Sequence, residues 1–305
     1  MNTQSLRLLA SIGLIALVLW LVGPTEIMAA FAGADPWWLL AGFVCAVSAS
    51  LCASLRWHAL AIWLGMDASR RTMIVAQWRG ITANAILPGG TLSGDALRAL
   101  HLNQAGSDLL PATASVILDR LSGLWVLVTL SLSTTALALF FGLLPAGRLP
   151  VSALAAALFA ATSLLTPFLL WQLSASTRRH LPARFAALLD TVHQHPRPFR
   201  QYLAQLAWSG TVQIACILAF ACGGWAVGMA LPFWQFIIVA GPIFIFATLP
   251  VSVGGWGTRE AAAALTLGLL GVSKDLAVAT AVLYGLFATL QGVLGAVTFI
   301  KSAKP

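Results

Sequence analysis

The chain has 305 residues, of which 59% are hydrophobic and only 9% charged. A soluble domain carries about 25% charged residues, so this surface does not face water throughout. The net charge of +8 comes mostly from arginines in short loops; there it reports membrane orientation, where in a soluble protein it would suggest nucleic acid.

In chain order, the first apolar run, Leu8 to Gly23, follows Arg7 and is expected to be a retained span. No small-residue cleavage site follows it, and Gly23-Pro24-Thr25-Glu26 reads as a helix exit. Further hydrophobic runs lie at 37–64, 111–144, 150–173, 203–229 and 276–300, each near the ~20 residues that cross a bilayer core. Two more regions are apolar but broken. In 73–105 the interruption is Leu87-Pro88-Gly89-Gly90-Thr91-Leu92-Ser93-Gly94-Asp95; in 233–272 it is Leu249-Pro250-Val251-Ser252-Val253-Gly254-Gly255-Trp256-Gly257. Proline and clustered glycine end a helix and permit a tight reversal. Cys45, Cys52, Cys216 and Cys222 lie inside apolar runs without Cys-x-x-Cys spacing and read as small packing residues.

Positive charge orients the spans. Segment 174–200 carries Arg178, Arg179, Arg184, Arg197 and Arg200 against Asp190 alone and is expected inside, with Arg70, Arg71, Lys301 and Lys304; loop 24–36, with Glu26 and Asp35, is expected outside. All of these fall in place if 73–105 and 233–272 each return to the side they entered. Their first arms, about 16 residues long, are short for a full span and suit a re-entrant half-helix.

The expected fold is therefore an all-α polytopic membrane protein, one domain over 1–305, with about six full transmembrane helices plus two opposed re-entrant helical hairpins. An inverted-topology repeat relates half 1 (about 1–144) to half 2 (about 150–300). Span 37–64, hairpin 73–105 and span 111–144 correspond to span 203–229, hairpin 233–272 and span 276–300. Leu87-Pro88 matches Leu249-Pro250, and Gly94 to Arg98 matches Gly255 to Arg259. Secondary transporters share such an architecture, with broken helices meeting near the midplane.

Broken backbone at membrane depth is tolerated where protein or a wet cavity satisfies it. The two glycine turns, with Gly89, Gly90 and Gly94 in one and Gly254, Gly255 and Gly257 in the other, are expected to line such a cavity. The second arms begin near Ser93 and Thr258, presenting helix N-termini that attract phosphate; the plainer role of those two residues is helix capping. Charges cluster nearby: Asp95, Arg98, Arg259, Glu260, Arg79, Asp119, Arg120 and Arg56. A charge at bilayer centre costs at least about 3 kcal/mol, so these need partners or water. Asp95 and Arg98, three apart, meet on one helical face. Asp119–Arg120 and Arg259–Glu260 are adjacent, so each pair is expected to splay toward other helices. Arg56, near a span end, reads as a snorkelling side chain. The ion pairs would either hold hairpins to spans or leave Arg98 and Arg259 to bind an anionic headgroup.

No Gly-x-x-x-x-Gly-Lys-Ser/Thr loop and no Gly-x-Ser-x-Gly elbow is present. His193-x-His195 is a weak metal pattern, and Trp37 and Trp38 fit an interfacial belt. No catalytic residue, metal or cofactor is expected, and the chain is not read as an enzyme.

The stretch Asn84-Ala85-Ile86-Leu87-Pro88-Gly89-Gly90 with Gly94-Asp95 and Arg98, then Asp119-Arg120, then Leu249 to Glu260, resembles the lysylphosphatidylglycerol synthase transmembrane-domain family. These flippase-like proteins are also found fused to the aminoacyl-transferase part of multiple peptide resistance factors. The family often has Glu before the arginine of the third-span motif; Asp119 keeps the charge. No synthase domain accompanies the motifs here, so aminoacyl transfer is not carried over. The resemblance implies moving or presenting lipids, commonly aminoacylated or other anionic ones, between leaflets. Stand-alone members are linked with other lipids such as hopanoids or glycolipids, so substrate identity does not transfer.

The leading expectation is a lipid flippase without an ATPase, in a bacterial cytoplasmic membrane with both termini cytoplasmic, its partners being anionic membrane lipids. The alternatives are a non-catalytic partner of a lipid-modifying enzyme docking through 174–200, and a membrane enzyme acting on a lipid phosphate with a buried acid as base. A homodimer is a further partner state for such a chain.

Overall fold

Asp35 starts the first described helix: its carboxylate accepts from the Trp37 N–H at 2.8 Å and Pro36 occupies the first turn, where a missing N–H costs nothing. A computed structural model describes residues 31–87, 91–144, 150–177, 198–249, 252 and 254–300. The expected first span, Gly89 and Gly90, most of the basic loop 174–200 and the terminal lysines lie outside the described residues.

Among the described residues the chain is all-helical. Helix α1 is Pro36–Trp63, α2 Arg70–Ile86, α3 Thr91–Gln104, α4 Leu109–Phe140 and α5 Ala153–Thr177. Helix α6 is Pro198–Ala226, α7 Phe233–Thr248, α8 Thr258–Leu269 and α9 Lys274–Ile300. Helices α1, α4, α6 and α9 contain stretches long and apolar enough to cross a membrane, and Ala153–Pro167 and Phe233–Thr248 are shorter apolar helices.

Both broken regions divide at their motifs. Leu87 ends α2 with φ −89° and ψ 140°, and Leu249 ends α7 with φ −62° and ψ 135°. Each precedes a proline, whose ring drives the preceding residue out of helical geometry. Leucine therefore stops both helices at the same point of the motif.

With lipid outside, apolar burial alone does not bring spans together, and close packing of small residues does. Helix α1 lies along α6, and Gly42 stands at that contact: a Cβ there would lie 3.1 Å from the Cys222 Cβ of α6 and 2.7 Å from the Phe287 ring of α9. Helix α2 packs on α9, where a Cβ on Gly292 would stand 2.8 Å from the Ala85 Cβ. Helix α7 packs on α4. There the Ser131 hydroxyl of α4 donates to the Ile237 carbonyl at 2.8 Å and accepts from the Gly241 N–H at 3.1 Å. The side chain thus sits inside the hydrogen-bond ladder of α7, one residue before Pro242, and satisfies backbone groups there.

The packed pairs have a regularity. Helix α1 meets α2 and α4, α2 meets α3, and α3 meets α4; likewise α6 meets α7 and α9, α7 meets α8, and α8 meets α9. Across the two sets, α2 meets α9 as α7 meets α4, and α1 meets α9 as α6 meets α4. Replacing α1–α4 by α6–α9, and the reverse, returns these same pairs, while the packing of α5 on α4 stands outside the exchange. One core gathers Trp57, Met73, Leu102 and Val116 of the first set, and another gathers Phe220, Phe236, Ile243 and Leu267 of the second with Leu127 and Ala138 of α4.

Candidate functional site

Helices α2 and α3 meet through Asn84, whose side-chain oxygen accepts from the Gly94 N–H at 2.8 Å. A Cβ on Gly94 would collide with Asn84 and with the Gly80 carbonyl, so glycine is what lets α3 lie against α2. Ser93 is the third residue of α3 and lies within the helix, which removes it as the expected cap. In the second turn Gly254, Gly255 and Gly257 have φ of 58°, 76° and 84°, a region that L side chains rarely adopt.

Gly257, not Thr258, is the N-cap position of α8. Thr258 begins the helix, and its hydroxyl donates to the Gly255 carbonyl at 3.0 Å. Glu260 supplies the cap instead: its Oε2 accepts from the Gly257 N–H at 2.5 Å. Its Oε1 accepts from Arg259 Nε at 3.0 Å and Nη2 at 2.6 Å. The expectation that Arg259 and Glu260 splay toward other helices is therefore corrected. In the first turn of a helix the glutamate folds back toward its own N-terminus, and the neighbouring guanidinium reaches the same carboxylate.

Asp119 and Arg120 do splay, and they build a chain of five charges. Asp119 Oδ1 accepts from Arg56 Nε at 2.9 Å and its Oδ2 from Arg98 Nη2 at 2.7 Å. Arg98 Nη1 reaches Asp95 Oδ1 at 3.2 Å, and Arg120 Nε donates to both Asp95 oxygens at 2.9 Å. The order is Arg56, Asp119, Arg98, Asp95, Arg120. Three guanidinium groups against two carboxylates leave one positive charge in excess. Arg56 is buried and also donates to Ser209 at 3.2 Å, which corrects the snorkelling expectation. Arg98 lies 4.0 Å from the Trp57 ring centroid, a cation–π arrangement, and its buried Nε has no hydrogen-bond partner. Side-chain exposure is 2% at Arg98 and 3% at Asp119 but 36% at Arg120, so the chain of charges is open at the Arg120 end.

These charges face a cavity of about 490 Å³, lined from α1 to α4 and from α6 to α9, within the ~300–1,000 Å³ of small-molecule sites. It brings together Asp95, Arg98, Asp119, Arg120, Gly254 and Arg259 from the expected set. Ser93, Gly94, Gly255, Gly257, Thr258 and Glu260 are not part of its lining. Arg79 is elsewhere: it contacts His101 Nδ1 at 3.1 Å, donates to the Thr298 carbonyl at 2.9 Å and so ties α2 to the end of α9.

Uncharged residues complete the lining and escaped the sequence reading. Ser50 donates to Gln291 at 2.5 Å, Gln213 donates to the Gly123 carbonyl at 2.8 Å, and the buried Gln77 Oε1 has no partner. The available signal was their position, since an amide inside an apolar span needs a polar neighbour as a charge does. Asn84 was visible only as part of a motif. The assembled site is a chamber whose charged residues carry a positive excess and whose acids are already engaged by arginines.

No curated protein matches the chain. The family model described as lysylphosphatidylglycerol synthase TM region matches residues 5–295, nearly the whole length, and the protein is a multi-pass membrane protein that belongs to this family.

Proposed function

We propose that the protein binds an anionic lipid headgroup in the chamber between its two hairpins and carries it between leaflets, the acyl chains staying in the bilayer. The observation that carries this reading is the five-charge chain with one unbalanced guanidinium, facing a cavity of about 490 Å³. A net positive charge at membrane depth is costly, and an anionic ligand relieves it.

The packing regularity supports an inverted repeat, with α2–α3 and α7–α8 as re-entrant hairpins entering from opposite faces. Their arms have 17, 14, 16 and 12 residues, or about 26, 21, 24 and 18 Å at ~1.5 Å per residue, short of a ~30 Å core. Rocking of one set of helices against the other would open the chamber to each side in turn. The proposal includes a cytoplasmic-membrane location with both termini inside, and no catalytic step, metal or cofactor.

The test is movement of a fluorescent phosphatidylglycerol across proteoliposome membranes. Wild-type protein is expected to expose the label to an external quencher faster than empty liposomes do. Arg120→Gln is expected to slow it about tenfold, the size of one lost charge-assisted hydrogen bond. Equal rates with and without protein would overturn the reading.

A further inference from the structure

A second cavity of about 530 Å³ lies between α3 and α4. Its wall is apolar along its length, formed by side chains such as Leu92, Leu100, Leu109, Ile117 and Leu121, all about half exposed. Its two charged lining residues are Asp95 and Arg120, and both also line the central chamber. The two spaces therefore share a wall, and that wall holds the most open ion pair of the charge chain.

Any lipid-facing flank is apolar, so apolarity alone says little. This groove differs in being concave and in ending on a charge, the form of site an amphipath fills. Along α4 it runs from Leu109 to Leu121, twelve positions, or about 18 Å at ~1.5 Å per residue, roughly half of a ~30 Å hydrocarbon core. Leu109 is the first residue of α4, so the groove leads from one end of that helix to mid-depth, with its charge at the deep end. An acyl chain occupying it would trail from a headgroup already drawn to the middle of the membrane.

We propose that this groove is the lateral gateway of the chamber: one acyl chain of an anionic phospholipid lies between α3 and α4 while its phosphate replaces Asp95 on Arg120. This rests on the reading that the chamber holds a lipid headgroup. Asp95 keeps its contact with Arg98 through the exchange, and the entering phosphate meets the excess positive charge. The gate is thus an ion pair that opens by exchanging one anion for another, which limits desolvation of either partner.

The test uses full-length protein in nanodiscs containing phosphatidylglycerol with a photoactivatable diazirine on one acyl chain, followed by peptide mapping of the adducts. Adducts are expected to concentrate on 92–100 and 109–121. Arg120→Gln should reduce them about tenfold, the size of one charge-assisted contact. Ala96→Trp, which fills the groove from an exposed position, should reduce them similarly, and Ile117→Trp provides a second plug from the opposite wall. Phosphatidylcholine with the same labelled chain should label this site weakly. Adducts spread evenly over the lipid-facing helices, or groove labelling equal for both lipids, would overturn the gateway. Even labelling together with Arg120-dependent transport in proteoliposomes would remove the gateway alone; groove labelling without any transport would remove the transport reading alone.

Discussion

Arg56 on α1 and Asp119 on α4, 63 positions apart in sequence, meet at 2.9 Å in the protein interior, and Asp119 holds Arg98 of α3 on its other oxygen. One carboxylate thus joins three helices. Asp119→Asn keeps the shape and removes the charge that both guanidiniums face. Breaking a buried pair costs about 3–5 kcal/mol, because the partner is left as an uncompensated charge. The expected outcome is a large fall in thermal midpoint in detergent, with Asp119→Glu, which retains the charge, much closer to wild type.

Glu260 has a different task, holding the first turn of α8 through the Gly257 N–H while neutralising Arg259. Glu260→Ala removes an acceptor with charge-assisted bonds worth about 1.5–3 kcal/mol each and strands Arg259. The single variant Arg259→Gln and the double variant Arg259→Gln, Glu260→Ala complete the comparison, the double removing both charges. Its loss of stability is expected to be smaller than the sum of the two single losses, since contacting residues couple. Denaturation of the four proteins in the same detergent checks this.

Ser131 is inserted in the backbone ladder of α7. Ser131→Ala leaves the Gly241 N–H and the Ile237 carbonyl without that partner, at a cost of about 1–3 kcal/mol per buried group. Faster hydrogen exchange at 237–241, with α1 and α6 unchanged, is the expected signature.

Gly94 marks the close approach of α3 to α2. Gly94→Val places a branched side chain where Asn84 and the Gly80 carbonyl already stand, so α3 is forced off α2. A lower thermal midpoint is expected, and Asn84→Ala should lower it less, by about 1 kcal/mol for one lost hydrogen bond.

The division of the chain into spans and broken segments was legible because length and apolarity act locally, and Leu87-Pro88 and Leu249-Pro250 stop helices by sterics alone. The Asp95–Arg98 contact followed from a spacing of three on one helix, and the outward reach of Asp119 and Arg120 from their adjacency. Arg56 was misread because a span-end position says nothing of what stands opposite; its partners come from α4 and α6. Arg259 and Glu260 were misread because the adjacency rule holds in a helix interior, while their carboxylate answers to a free N–H at a helix start. The glutamines of the chamber carry no periodicity, and packing of separate helices alone brings them to one surface.

The most direct test of an anion-holding chamber is a structure of the protein in nanodiscs rich in phosphatidylglycerol. The account predicts phosphate density within hydrogen-bonding distance of Arg120, with Asp95 turned from it. A chamber holding water alone, with the Arg120–Asp95 pair closed and lipids confined to the outer flanks, would contradict it.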